Sequence, residues 1–146
     1  MATTLSQLRS RIDAIESCYE FMLAYAAQGL PANTNSPVSG QLRELLTHAA
    51  DAMDGLADAF RDYVAQTGNS VGSVDHYLQF VQVLERDAAS SLAAIRLALA
   101  QPGISSQLVD NLNALIHLRA LLTDLFVLDE ILPPAEGTFM EGGSPD

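Results

Sequence analysis

Residues 31–40 read PANTNSPVSG, and this stretch separates two long segments with helical periodicity. Proline, glycine, serine and asparagine disfavour the interior of a helix, so a cluster of them ends one helix and precedes the next. Two shorter clusters repeat the pattern, GNSVGS at 68–73 and PGISS at 102–106, and the prolines at 133–134 end the last segment. The chain therefore predicts four helices of similar length.

Short connections between successive helices favour neighbours that run antiparallel. We therefore predict an all-α, antiparallel up-down-up-down four-helix bundle over residues 1–132. The Pro/Gly-rich, acidic segment 133–146 is predicted to be a disordered, flexible tail. The four predicted helices cover residues 4–29, 39–67, 73–101 and 105–131.

The composition fits one soluble domain, because 49% of the 146 residues are hydrophobic and only 17% are charged. A net charge of -11 opposes binding to phosphate backbones and anionic lipid, which require clustered cations. No run of about 18 uncharged apolar residues is present to span a membrane. We expect a cytoplasmic protein with neither a nucleic-acid nor a membrane partner.

Several kinds of chemistry are excluded by the residue types present. All seven cationic residues are arginine, so the chain has no lysine for a Schiff base or a P-loop. Bundle di-iron sites use Glu-x-x-His motifs that point into the core, and this motif is missing. The nearest spacing, His48 and Asp51, falls on the polar face of the second helix. We therefore predict no metal and no cofactor.

Three charged residues fall on or beside apolar stripes in the helical wheels. Glu16 lies at the edge of the stripe of the first helix, Glu85 within that of the third, and Arg119 within that of the fourth. All three fall near mid-height, level with Met53, which predicts a polar layer through the core. One interpretation is a structural Glu-Arg-Glu pairing that fixes helix register. The other is a pocket in which Arg119 binds an anionic ligand, or Glu16 and Glu85 act as acid and base.

A second apolar surface is predicted opposite the core stripes of three helices. In an up-down bundle the fourth helix lies between the first and third, so their second apolar faces would adjoin. A contiguous exposed apolar surface marks an association site, and a homodimer with a two-fold axis is its simplest form. The residues predicted for this interface are Cys18, Phe21, Tyr25, Phe80, Val83, His117, Leu121, Val127 and Leu128.

Residues 8–16, LRSRIDAIE, resemble the opening of the helical chorismate mutases, whose first helix has a similar pattern. By that resemblance Arg9 would bind a substrate carboxylate. That family also relies on a lysine further along, and this chain has none.

The pattern as a whole favours a non-enzymatic interaction or accessory protein that self-associates through the side formed by the fourth helix. A separate protein partner is a second expectation, and the acidic second helix would face solvent or a basic partner. The alternative is a small ligand-binding or enzymatic bundle with a mid-core pocket built on Arg119, Glu85 and Glu16.

Overall fold

A computed structural model describes residues 3–32, 36–68 and 73–133. Within these ranges the chain is entirely helical and has no strand, so the predicted all-α class is confirmed. The predicted four-helix bundle is not confirmed, because the second and fourth predicted helices are each broken in two. The predicted tail, 134–146, lies outside the described residues. The helices are α1 (Leu5–Ala27), α2 (Pro37–Met53), α3 (Leu56–Thr67), α4 (Val74–Leu99), α5 (Ser106–Asn113) and α6 (Ile116–Ile131).

The break between α2 and α3 falls at Asp54 and Gly55. Gly55 has a φ of 76°, in the left-handed region that glycine adopts at little cost. Ending α2 there frees backbone carbonyls that an unbroken helix would use. The Arg11 guanidinium donates to two of them, the oxygens of Ala52 at 3.0 Å and Asp54 at 2.9 Å. Arg11 of α1 therefore caps the end of α2.

The break between α5 and α6 falls at Ala114 and Leu115, where neither proline nor glycine is present. Leu115 is extended, and the Asn113 side chain donates to the Met22 carbonyl of α1 at 3.2 Å. The two segments pack against different neighbours, α5 mainly against α1 and α6 mainly against α4. The break therefore shifts the helical phase of α6 relative to α5.

A buried polar clamp holds α5 against the end of α1. The Ser106 hydroxyl donates to the Tyr25 carbonyl at 2.6 Å and accepts from the Leu30 N–H at 2.8 Å. The Ser106 N–H donates to the Leu30 carbonyl at 2.9 Å, and the Tyr25 hydroxyl donates to the Ile104 carbonyl at 2.8 Å. These bonds satisfy polar groups that would otherwise be costly to bury, and they fix the position of α5.

All six helices contribute to one apolar core. The helical spacing of apolar residues within 39–67 predicts one stripe, and this stripe is buried along its whole length, across the break. Its polar side is also as predicted, since Glu44, Asp51 and Asp58 are exposed. The buried residues of this stripe are Leu42, Leu46, Ala49, Met53, Leu56, Phe60 and Val64.

Candidate functional site

The predicted polar layer of Glu16, Glu85 and Arg119 is wrong. Glu85 is exposed and pairs with Arg61 of α3 at 2.7 Å, which lowers the pKa of the glutamate. Arg119 is exposed on α6. Glu16 is half-buried near Asp129, and its pKa is raised by burial and by the neighbouring acids. The three side chains therefore do not form one site.

The break before α6 explains the misplaced Arg119. A single wheel drawn through 105–131 places Arg119 in line with Leu112 and Leu115 of the preceding segment. The buried face of α6 has a different phase, and Arg119 lies about 140° from its centre at the helical repeat of 3.6 residues. That buried face consists of Leu118, Leu121, Leu122, Asp124, Leu125 and Leu128.

The predicted second apolar surface is also wrong, because much of it belongs to the core: the shift of α6 buries its leucines, and the packing of α5 against α1 covers that side of α1. Four of its members are buried: Cys18, Tyr25, Leu121 and Leu128. Phe21 and Phe80 are half-buried, whereas Val83, His117 and Val127 are exposed. Burial raises the pKa of the Cys18 thiol to about 12, so this cysteine stays protonated and unreactive at neutral pH.

A different apolar surface is exposed on the same helices. Within the described ranges, seven of the eight exposed large hydrophobic residues lie on α4 and α6, and the eighth is Leu23 of α1. Ile116 is the most accessible, at 78% exposed. We call the α4–α6 side the surface formed by Val83 and Leu97 of α4 with Ile116, Val127 and Ile131 of α6.

On each of the two helices these residues share one solvent-facing side. Val83 and Leu97 are two heptads apart on one face of α4, and the three α6 residues fall within about 60° of one another. His117 of α6 lies 3.8 Å from Asp87 of α4, which places Ile116 and Val83 on either side of this contact. The exposed apolar residues of the two helices therefore lie on the same side of the molecule, and we refer to them as the strip.

An apolar groove of about 440 Å³ continues this strip between α4 and α5. It exists because the clamp holds α5 on α1 while α4 packs against α6, so α5 and the second half of α4 stand apart. No charged residue lines it. Ile116 follows directly on one of its walls. The lining residues are Ala94, Leu97, Ala98, Gln101, Leu108, Asn111, Leu112 and Leu115.

An acid pair lies between α4 and α6, beneath the strip. Asp124 is 7% exposed, and the side chain of Asp87, which is 16% exposed, is close enough to raise its pKa. The Oδ2 atom of Asp124 has no donor among the described side chains. Burial raises the pKa of Asp124 to about 7, and the neighbouring Asp87 acts in the same direction. The two carboxyl groups are therefore suited to share one proton at neutral pH.

The sequence did not predict this pair, although the position of Asp124 among apolar residues indicates an unusual site. Asp124 interrupts the run LLTDLFVL, with Leu121 and Leu125 on the same helical face. An acid in that position is buried and needs a partner. Asp87 carries no comparable signal, since its contact with Asp124 depends on how α4 and α6 pack.

Other candidate sites do not bring together reactive groups. Arg9, which by resemblance would bind a substrate carboxylate, donates to Asp129 at 2.6 Å and to the Pro133 carbonyl. A polar groove of about 500 Å³ between α1 and α2 contains His48 and Arg11, but Arg11 already caps α2. In the part of the chain that is described, no three metal-binding side chains converge, and no helix is long and apolar enough to cross a bilayer.

The acid pair predicts how stability depends on pH. Because the pKa of Asp124 is raised from 3.8 to about 7 by folding, the folded state binds more protons than the unfolded state between these values. The free energy of unfolding should then fall as pH rises from about 4 to 7, and stay level above that range. Asp124→Asn has no carboxyl group to ionise at this position, so its free energy of unfolding should not fall over this pH range. We expect the variant to be more stable than wild type by about 2 kcal/mol at pH near 8, allowing for solvent at the edge of the pair.

Urea unfolding at pH near 5 and near 8 measures the effect. Glu130→Gln, an exposed acid on the same helix, is the matched control and should keep the wild-type dependence. Equal stability of Asp124→Asn and wild type at both pH values would show that the pair carries no such penalty.

Comparison of the chain with protein-family models, with curated proteins and with solved structures gives no match in any of the three.

Proposed function

We propose that this protein is a non-enzymatic interaction or accessory module that self-associates as a homodimer through the α4–α6 side. The observation that carries the proposal is that five of the eight exposed large hydrophobic residues of the described surface belong to the α4–α6 side. On this proposal the molecule is a four-helix bundle in which two helices are interrupted. One is α2 with α3, and the other is α5 with α6.

A second copy suits this surface because the strip contains both a projection and a recess. A two-fold interface uses the same patch on each subunit, so the patch must supply both parts of each contact. Ile116 projects from the surface, and the groove between α4 and α5 lies beside it. Each copy can therefore place its Ile116 toward the groove of the other.

Charge also favours this side. Two copies of a chain with a net charge of -11 repel each other, so contact is least costly where carboxylates are absent. The groove lining is uncharged, whereas α2 and α3 expose Glu44, Asp51 and Asp58. The favoured approach is therefore through the uncharged groove between α4 and α5.

The available area is adequate for a stable dimer. The 26 residues of α4 extend about 39 Å at the helical rise, and two packed helices are about 20 Å wide. Because the 16 residues of α6 extend only about 24 Å, the two helices together present roughly 630 Å², which is within the range that one partner buries in a standard interface. The ligand-binding or enzymatic alternative has no comparable support, because Glu16, Glu85 and Arg119 lie apart.

Sedimentation equilibrium or light scattering tests the proposal. Wild type should have twice the monomer mass of 15.6 kDa. Ile116→Asp should weaken self-association about 100-fold or more, because each dimer would bury two carboxylates in an apolar contact. Leu23→Asp is the matched control: it adds the same charge at an exposed apolar residue of α1 and should leave the mass unchanged.

Two results would contradict the proposal. One is a wild type that stays monomeric at high concentration. The other is an Ile116→Asp variant that dimerises as well as Leu23→Asp, which would place the interface on another face.

A further inference from the structure

We infer that the Asp87–Asp124 pair is a proton-binding site that controls self-association, so that the dimer is tight when the pair holds a proton and weaker when it does not. This inference rests on the proposed function and adds a regulator to the same surface.

The pair borders the α4–α6 side on both helices. On α4, Asp87 lies one turn after Val83, and on α6, Asp124 lies one turn before Val127. Both valines are exposed. A second copy seated on these valines would cover the edge of the pair that still reaches water, and the desolvation of the two carboxyl groups would increase.

No fixed positive charge is available to neutralise the pair. Among the described residues, the only cationic side chain within ion-pair distance is His117, whose Nδ1 lies 3.8 Å from an Asp87 oxygen. From α1, Arg9 and Glu16 face Asp129 instead, on the other flank of α6. From α5, the single acid Asp110 is exposed. A proton is therefore the ligand that can relieve the repulsion.

The protonated and the fully ionised pair differ in the free energy needed to bury them at an interface. With one shared proton, an O–H group of one carboxyl donates to the other and the buried Oδ2 atom gains a partner. With none, two carboxylates in contact repel each other, and a dimer buries two such pairs. Burial already raises the pKa of Asp124 to about 7 in a single copy. Further burial raises it more, so by linkage the dimer binds the proton more tightly and acid strengthens the dimer.

His117 is a second proton-binding group beside the pair. Its side chain is 60% exposed and, when protonated, would place a positive charge beside Asp87. The experiment must therefore separate the imidazole from the acid pair.

The test is sedimentation equilibrium of the full chain at about pH 5.5 and about pH 8.5, in about 0.15 M salt to screen charges more than about 8 Å apart. We expect the wild-type Kd for self-association to be about tenfold lower at the acid pH. Asp124→Asn should have the same Kd at both, since the amide donates to Asp87 at any pH. Glu130→Gln and His117→Gln should keep the wild-type change.

The outcomes distinguish the inference from the proposed function. A wild-type dimer whose Kd does not change with pH overturns the inference alone. So does a pH dependence that survives in Asp124→Asn, or one that is lost in His117→Gln and assigns the proton to the imidazole. A wild type that is monomeric at both pH values overturns the proposed function, and the inference with it.

Discussion

Replacing Leu121 by alanine should lower the free energy of unfolding by about 2–5 kcal/mol, the range for truncating a buried leucine. Leu121 is fully buried against the core, although a continuous fourth helix would place it on the surface. The substitution removes apolar contacts and leaves a cavity that the surrounding side chains only partly fill. Urea unfolding monitored by circular dichroism measures the loss.

Val127→Ala is the matched control on the same helix. Val127 is 43% exposed in a single copy, so at protein concentrations where the monomer predominates its truncation should change the free energy of unfolding by less than about 0.5 kcal/mol. If the two variants lost equal stability, or Val127→Ala lost more, α6 would not have the orientation described above.

Replacing Ser106 by alanine should cost about 2–3 kcal/mol. The change removes the hydroxyl that donates to the Tyr25 carbonyl and accepts from the Leu30 N–H, and it leaves that N–H without its acceptor. Because these bonds hold α5 against α1, we also expect faster amide hydrogen exchange throughout α5.

The neighbouring Ser105→Ala separates the clamp from ordinary helix capping. Ser105 caps α5 by accepting from the Leu108 N–H at 3.0 Å, and losing such a cap costs about 1 kcal/mol. If Ser106→Ala were as stable as Ser105→Ala, or more stable, the clamp would contribute nothing beyond a helix cap.

The unbroken parts of the fold could be predicted from the sequence, because periodicity and break residues act locally. The stripe through Leu42, Leu46 and Phe60 is buried as predicted. The break at Gly55 also left a signal, an Asp-Gly pair within the second predicted helix. The break at Ala114 left none, because contacts of α5 with α1 and of α6 with α4 produce it.

The candidate site depends on that second break, which is why the sequence did not reveal it. A helical wheel assigns faces correctly only while the helix is continuous, so one undetected break misplaced Arg119, Leu121 and Leu128 together. The groove between α4 and α5 and the contact of Asp87 with Asp124 are properties of packing between distant segments. Only Asp124 itself, an acid among leucines, could have been singled out in advance.

The clamp at Ser106 also has a consequence for the order of folding. Its bond to Leu30 joins residues 76 positions apart, and the bond from Arg9 to Asp129 joins residues 120 apart. Closing a loop of this length costs chain entropy before the contacts at its ends can form. Folding is therefore slower than in bundles whose contacts are local. During synthesis, α1 emerges first but cannot be covered on this flank until α5 has left the ribosome. We expect its apolar face to be the part of the nascent chain that most needs protection from aggregation.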